Sequence, residues 1–368
     1  MSRPAARTRA TRRLRRTAIA VAMIVVASTA AACGGSDASS GDGFVLKGAD
    51  GDPTNRPSSA LMGSIQMAEG WDQDSGYTLE WDVAQSAAVA IQMLASKRND
   101  LSQGSAPAVY AAAAQDPSLR VIAFLNGPNF LFTVPENSDI QSIEDLDGKT
   151  VGVLALGATS HLLAQGTVAE AGIDVEFLPV NVGAPMAEAL NSGQIDALVG
   201  WQGMWQSISD LTEEPLRPLE TRLDSLAGQM VMATRQDVID EHPEELKAYL
   251  LNFYKSCVLA ANDPVRAVED HWETFPSVKP PAAEFDEMLQ KQAEWNLGFY
   301  ETCTKPSEDT GLMGVPSDAE VQELYDFMRA NNVVEDDIDL DEVVDTSLTE
   351  DVLADFDADA FAAELSES

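Results

Sequence analysis

LNSGQIDALVGW, residues 190–201, decides the fold, because it sets a helix end, a strand and a glycine at the strand's far end side by side. LASKRNDLSQG, residues 94–104, follows the same template, Leu-x-Ser-x-x-x-Asp-x-x-x-Gly. Leu94, Ser96, Asp100 and Gly104 stand in one copy, and Leu190, Ser192, Asp196 and Gly200 in the other. In each copy the Leu closes a helix against a sheet, the Ser lies in its last turn, and the Asp begins a strand that runs to the Gly. Glycine there lets backbone approach closely, and in open α/β sheets ligands sit beyond the carboxyl ends of strands. Two lobes on one plan would turn Ser105 and Trp201 towards a shared cleft. Chance repetition of four common residue types is the competing explanation, and the setting of the two copies weighs against it.

Outward from the copies, strand and helix alternate. Residues 43–52 read as a strand and a turn, a helix capped by Ser58 or Ser59 runs to about 70, and YTLEWDV at 77–83 alternates as a strand. Gln85 and Ser86 lead into a helix at 87–97, and Pro107 suits the first turn of the next. Two apolar runs within 120–138 are broken at 126–129. Then come a strand at 150–156, a helix from Thr159, a strand at 175–180, a helix at 184–191 and a strand at 195–201. Farther on, a strand precedes a helix that has Pro243 near its start and Leu246, Leu250, Phe253, Cys257 and Val258 on one face. Such alternation implies parallel sheets covered by helices.

The chain of 368 residues, 45% apolar, is long enough to give each of two lobes a core. Its first segment belongs to export. Seven arginines (Arg3, Arg7, Arg9, Arg12, Arg13, Arg15, Arg16) precede an apolar run at 18–27, which marks 1–32 as a signal peptide. STAAACGGS at 28–36 resembles a bacterial lipobox, so Cys33 is expected to become the lipidated N-terminus and 33–43 a flexible tether; plain secretion is the alternative. Arg12-Arg13 leaves the Sec and twin-arginine routes both open.

Loss of the signal takes the formal charge from −37 to about −44, which excludes nucleic-acid binding through phosphates. The acid excess reads as solvated surface, with fourteen acids and no Lys or Arg in 335–368. DDIDLDE at 336–342 lacks the Gly and the spacing of a calcium loop. Outside the cell Cys257 and Cys303 would pair, two separately buried thiols being the alternative. His161, His242 and His271 have no metal-ligand spacing with the cysteines, and His161 beside Ser160 lacks the acid of a triad. No metal, cofactor or catalytic residue is expected.

Residues 140–163, 169–181, 188–201 and 235–250 resemble the solute-binding proteins of nitrate, sulfonate and taurine importers, a group that includes binders of thiamine pyrimidine precursors. The likeness runs over about 58–262 and is most specific at D-L-x-G-K-x-V-G-V (145–153) and G-x-x-D-A-x-x-x-W (193–201). It implies a type II periplasmic-binding-protein fold: two α/β lobes, 44–134 plus 230–368 and 135–229, joined by two crossover strands with ligand between. Such proteins hold anions on helix N-termini. Thr159 and Ser160 would serve so, or simply cap their helix. Gly104 and Ser105 are their counterparts, with a cap again the other use of Ser105. Asp52, Thr54, Gln85, Ser86 and Asn129 are further candidates, and Trp201 would wall the pocket, while Trp205 packs. Lys149 belongs to a surface turn. Neither Arg nor Lys stands at these strand ends, although Arg56 has the reach to fold in from its loop.

A monomeric, lipid-anchored receptor on the outer face of the bacterial cell membrane follows, delivering a small solute to an ABC permease and its ATPase. The rivals are an enzyme like the thiamine-pyrimidine synthases, whose cysteine-rich motif is missing, and a receptor that senses without transport. No P-loop, GxGxxG, H-E-x-x-H or G-x-S-x-G motif occurs.

Overall fold

The computed structural model describes residues 43–52, 54–125, 127 and 129–367. The expected signal peptide, Cys33 and all of the tether but Gly43 lie outside the described residues.

The chain begins with β1 (Phe44–Asp50), the short helices α1 (Ser64–Ala68) and α2 (Trp71–Asp74), β2 (Tyr77–Val83), α3 (Ala87–Ala95), β3 (Leu101–Ser105), α4 (Ala106–Ala113) and β4 (Leu119–Leu125). It then passes to β5 (Phe130–Pro135), β6 (Thr150–Val153), α5 (Thr159–Ala171), β7 (Glu176–Pro179), α6 (Ala184–Asn191), β8 (Ala197–Trp201), α7 (Gln202–Ser209) and β9 (Leu216–Leu219). It returns through β10 (Met230–Arg235) to α8 (Gln236–Glu241), α9 (Pro243–Asn262), α10 (Pro264–Thr274), α11 (Phe285–Thr304) and α12 (Asp318–Ala330). Short α13 (Leu340–Val343), α14 (Ser347–Asp355) and α15 (Ala358–Glu367) finish the chain.

Two five-stranded sheets result, in the orders β2-β1-β3-β10-β4 and β7-β6-β8-β5-β9. They are one arrangement used twice: second strand, first, third, the strand that arrives from the other sheet, and fourth. β10 lies antiparallel to β3 and β4, and β5 antiparallel to β8 and β9. The sheets are therefore mixed rather than wholly parallel, for a topological reason. Each crossing enters its new sheet at the carboxyl ends of the neighbouring strands, so the arriving strand must run away from that edge.

The first crossing falls at 126–129, because β5 pairs in the second sheet. Residues 130–134, assigned from the sequence to the first lobe, thus hydrogen-bond in the second. The return crossing falls within 220–229. The anticipated helix from Ser58 or Ser59 is a short 3-10 turn, Pro57–Met62, with Arg56 at its N-cap. Gly63 then separates it from α1.

β2 shows the half-covered pattern its alternation implied, with Tyr77, Leu79 and Trp81 buried and Thr78, Glu80 and Asp82 exposed, whereas every residue of β3 is buried. Leu46, Trp81, Tyr249 and Phe253 share the first lobe's core, and Met186, Ile195 and Met204 share the second's. A third cluster joins the lobes, from Tyr110 and Phe124 through Phe132 and Val151 to Val321 and Phe327 of α12. The C-terminal helices consequently touch both lobes. Phe327 fills the space over Gly166 of α5, and Trp295 of α11 donates from Nε1 to Asp210 Oδ2 at 3.2 Å beyond the end of α7. Cys257 of α9 and Cys303 of α11 are disulfide-bonded, which removes the reading of two free thiols. Among the described residues no helix is long and apolar enough to cross a membrane.

Candidate functional site

The two sequence copies occupy equivalent places, and their aspartates do the same work. Asp100 donates its N–H to Lys47 O at 2.7 Å and accepts Lys47 N–H on Oδ2 at 3.1 Å. Asp196 donates to Thr150 O at 2.8 Å and accepts Thr150 N–H on Oδ2 at 2.9 Å. Each aspartate thereby clips the start of its strand to the neighbouring strand. Arg235 stands 3.6 Å from Asp100 Oδ1 and Lys149 3.8 Å from Asp196 Oδ1, so each carboxylate also has a cation. Ser96 and Ser192 are the C-caps of α3 and α6.

The glycines seat side chains of their own lobe. A Cβ on Gly104 would meet Ile91 Cδ1 at 3.0 Å, and one on Gly200 would meet Met204 Cε at 1.8 Å. Packing accounts for glycine at both positions, rather than the backbone approach expected from sequence.

Beyond the glycines the copies diverge. Ser105 is buried and makes no side-chain cap for α4. Trp201 is half-buried, and the Arg56 guanidinium carbon lies 4.5 Å from the centre of its ring. That contact joins the loop after β1 in the first lobe to the end of β8 in the second.

Hydrogen bonds tie the described residues around Arg56 to one another. Asp50, fully buried, accepts Asp52 N–H on Oδ1 at 2.9 Å and Trp81 Nε1–H on Oδ2 at 3.3 Å. Burial outweighs these bonds and pushes its carboxyl up to about 6. Asp52 Oδ1 accepts from Thr54 N at 3.0 Å and from Thr54 Oγ1 at 2.6 Å, and Thr54 Oγ1 accepts Arg56 Nε–H at 2.5 Å. Asn55 takes a left-handed φ of 47°, a conformation asparagine tolerates. Its carbonyl accepts from His271 Nε2 at 2.9 Å, so the buried ring carries its proton there and Nδ1 accepts from Ser64 Oγ at 2.9 Å. Burial lowers this imidazole to about 4 and keeps it neutral. His161 does a matching job in the second lobe, where Nδ1 accepts Gly157 N–H at 2.9 Å in the loop before α5.

The remaining candidates are placed as follows. Gly51 lies against Ser86 and Ala87, where a Cβ would come within 2.1 Å of the Ala87 nitrogen. Ser86 caps α3, accepting Val89 N–H at 3.3 Å, and Gln85 is exposed. Thr159 and Ser160 sit in the first turn of α5; neither caps it, since the N-cap is Ala158 without a side-chain bond. Asn129 is buried in the first crossing, its Nδ2 donating to Gly127 O at 3.1 Å and its Oδ1 lacking a partner among the described residues. Trp205 packs on the second lobe's inner cluster.

Gln229 has the role least visible in the sequence. Fully buried in the return crossing, it accepts Asn129 N–H at 3.2 Å and Phe130 N–H at 3.0 Å on Oε1. Its backbone carbonyl accepts Ala106 N–H at 3.0 Å. One residue thus ties the two crossings to the start of α4. His271 likewise gave no local signal, since it acts 216 residues from Asn55. Among the described residues no group of three or more His, Cys, Asp or Glu stands ready for a metal ion.

The family model for NMT1/THI5-like proteins matches residues 65–267, more than half of the chain, and the chain belongs to that family. A Haemophilus influenzae protein named for thiamine biosynthesis is 30% identical over 127 residues, which span 33% of this chain and 40% of that relative. The aliphatic sulphonate binding protein SsuA of Escherichia coli is similar at a TM-score of 0.59 and 18% identity, covering 81% of this chain and 96% of that one. The ligand-binding component of an ABC-type import system from Staphylococcus aureus, solved with zinc bound, reaches 0.58 at 15% identity over 84% and 99%. The fold is the two-lobed α/β fold of type II periplasmic binding proteins.

Proposed function

We propose that this member of the NMT1/THI5-like family is the extracytoplasmic, lipid-anchored solute-binding component of an ABC importer, capturing one small organic or inorganic solute of the sulfonate, nitrate, taurine or thiamine-precursor kind between its lobes. The observation that carries this reading is the contact of Arg56 with Trp201 at the carboxyl edges of both sheets, where Ser105, Thr159 and Ser160 stand without capping duties. Uncapped N–H groups at the start of α5, with a cation and an aromatic ring beside them, are what a small polar solute requires. Solute touching both lobes favours the closed arrangement through its differential affinity. The solved relatives named as binding components support the reading.

A thermal-shift screen of nitrate, alkyl sulfonates, taurine, thiamine precursors and aromatic carboxylates tests it, since a bound solute raises the melting temperature. X-ray scattering with the best hit should show compaction, and an unchanged radius at saturation would remove the clamp. Replacing Cys33 by Ser should release the protein from the membrane fraction; firm retention would disprove the lipid anchor.

A further inference from the structure

Arg56 carries information about the solute's charge. Its Nε is committed to Thr54 and lies 3.6 Å from Asp52 Oδ2, while neither terminal nitrogen has a hydrogen-bond partner among the described residues. The side chain is only 22% exposed and burial lowers its pKa, so this cation sits in a partly dry position with its fork unfilled. Such donors are costly to leave unmade. The loop that aims them is pinned by Asp50 and His271, which makes the fork preorganised rather than free to swing.

The opposite wall agrees in polarity. Strand-end residues 154–160, 180–183 and 201–203 of the second lobe include no Asp or Glu. The starts of α5 and α7 carry no side-chain cap, so their N–H groups add to the same positive field.

We infer that Arg56 is the specificity-determining residue of the cleft, its two terminal nitrogens donating to a carboxylate or sulfonate of the solute. Asp52 and Thr54 are positioning residues that hold the guanidinium by its Nε. Asp52 at 3.6 Å offsets part of the charge, which selects for a directional two-point acceptor over a weakly coordinating ion. The inference rests on the solute-binding reading above and deepens it.

Butane-1-sulfonate, butanoate and the uncharged butane-1-sulfonamide test this in the mature protein, titrated by thermal shift and tryptophan fluorescence. At least one anion should bind, and the sulfonamide should bind about tenfold or more weaker than the better anion. Arg56→Gln should abolish that preference, and Arg56→Lys should restore part of it, as a point charge without the fork. Equal binding of the sulfonamide, retained preference in Arg56→Gln, or no binding by either anion would overturn the inference. An uncharged or cationic solute that compacts the protein while the anions do nothing overturns it and leaves the proposed function standing. Failure of every solute, whatever its charge, overturns both.

Discussion

The two copies of the Leu-Ser-Asp-Gly template begin alike and end differently. At their starts Asp100 and Asp196 make the same pair of backbone hydrogen bonds to a neighbouring strand. At their ends one lobe buries a small serine, and the other presents an indole to an arginine from across the cleft. The plan shared by the two sheets thus resides in the part facing away from the cleft. The residues that separate one lobe's chemistry from the other's lie just past the shared pattern. A repeat is therefore a guide to where a site begins rather than to which residues form it.

The largest test of the comparison concerns the clasp that only the first lobe possesses. Breaking Cys257–Cys303 by Cys303→Ser should lower the unfolding free energy by about 3 kcal/mol, since the bridge closes a long loop. Urea unfolding should show it, with α11 losing its hold on α7 and hydrogen exchange rising in 202–209. Unchanged exchange there would mean that the second lobe does not depend on the strut.

The glycines should separate the copies next. Gly200→Ala forces Met204 to move from 1.8 Å and should cost roughly 1–3 kcal/mol, whereas Gly104→Ala, at 3.0 Å from Ile91, should cost less than about 1 kcal/mol. Equal costs would show that Met204 yields freely. The aspartates should instead behave as twins. Asp100→Ala and Asp196→Ala should each cost about 1 kcal/mol in chemical denaturation, the worth of a backbone hydrogen bond to a charged acceptor offset by solvent access. A large inequality would break the equivalence of the starts.

The last test concerns the two histidines that hold the loops before α1 and α5. Burial keeps both below the ordinary imidazole value, His271 at about 4. A depressed base stabilises the fold fully above its unfolded pKa of about 6.5 and loses that contribution as pH falls towards the folded value. Asp50, raised to about 6, works in the opposite sense, its carboxyl favouring the folded state more at low pH. Comparing wild type with His271→Gln isolates the histidine: the wild-type advantage should shrink by about 0.7 kcal/mol between pH 7 and pH 6 and by about 2 kcal/mol by pH 5. A constant advantage would contradict a neutral buried ring.

Much of the fold was legible in local pattern. YTLEWDV alternated and formed β2 over the same residues, and the helix at 184–191 and the helix from Thr159 begin where their signals stand. The boundary before β5 was not legible, because an apolar run such as Phe130–Pro135 looks the same whichever sheet it joins. Of the proposed site, Trp201 and the hydroxyls of Ser105, Thr159 and Ser160 were read from strand ends and helix starts. Arg56 was recognised only as having the reach to enter.

By itself, the sequence determined the repeated β/α plan, the acid excess and the two cysteines able to pair, because composition and short-range periodicity carry those properties. Tertiary structure alone decided that Arg56 lies on Trp201, that His271 fixes the turn at Asn55, and that Gln229 ties both crossings to α4. Each of those contacts joins residues more than ninety positions apart, and their chemistry exists only once the chain has folded. Hydrogen bonds and cation–π contacts depend on distance in space, and local sequence pattern encodes only distance along the chain.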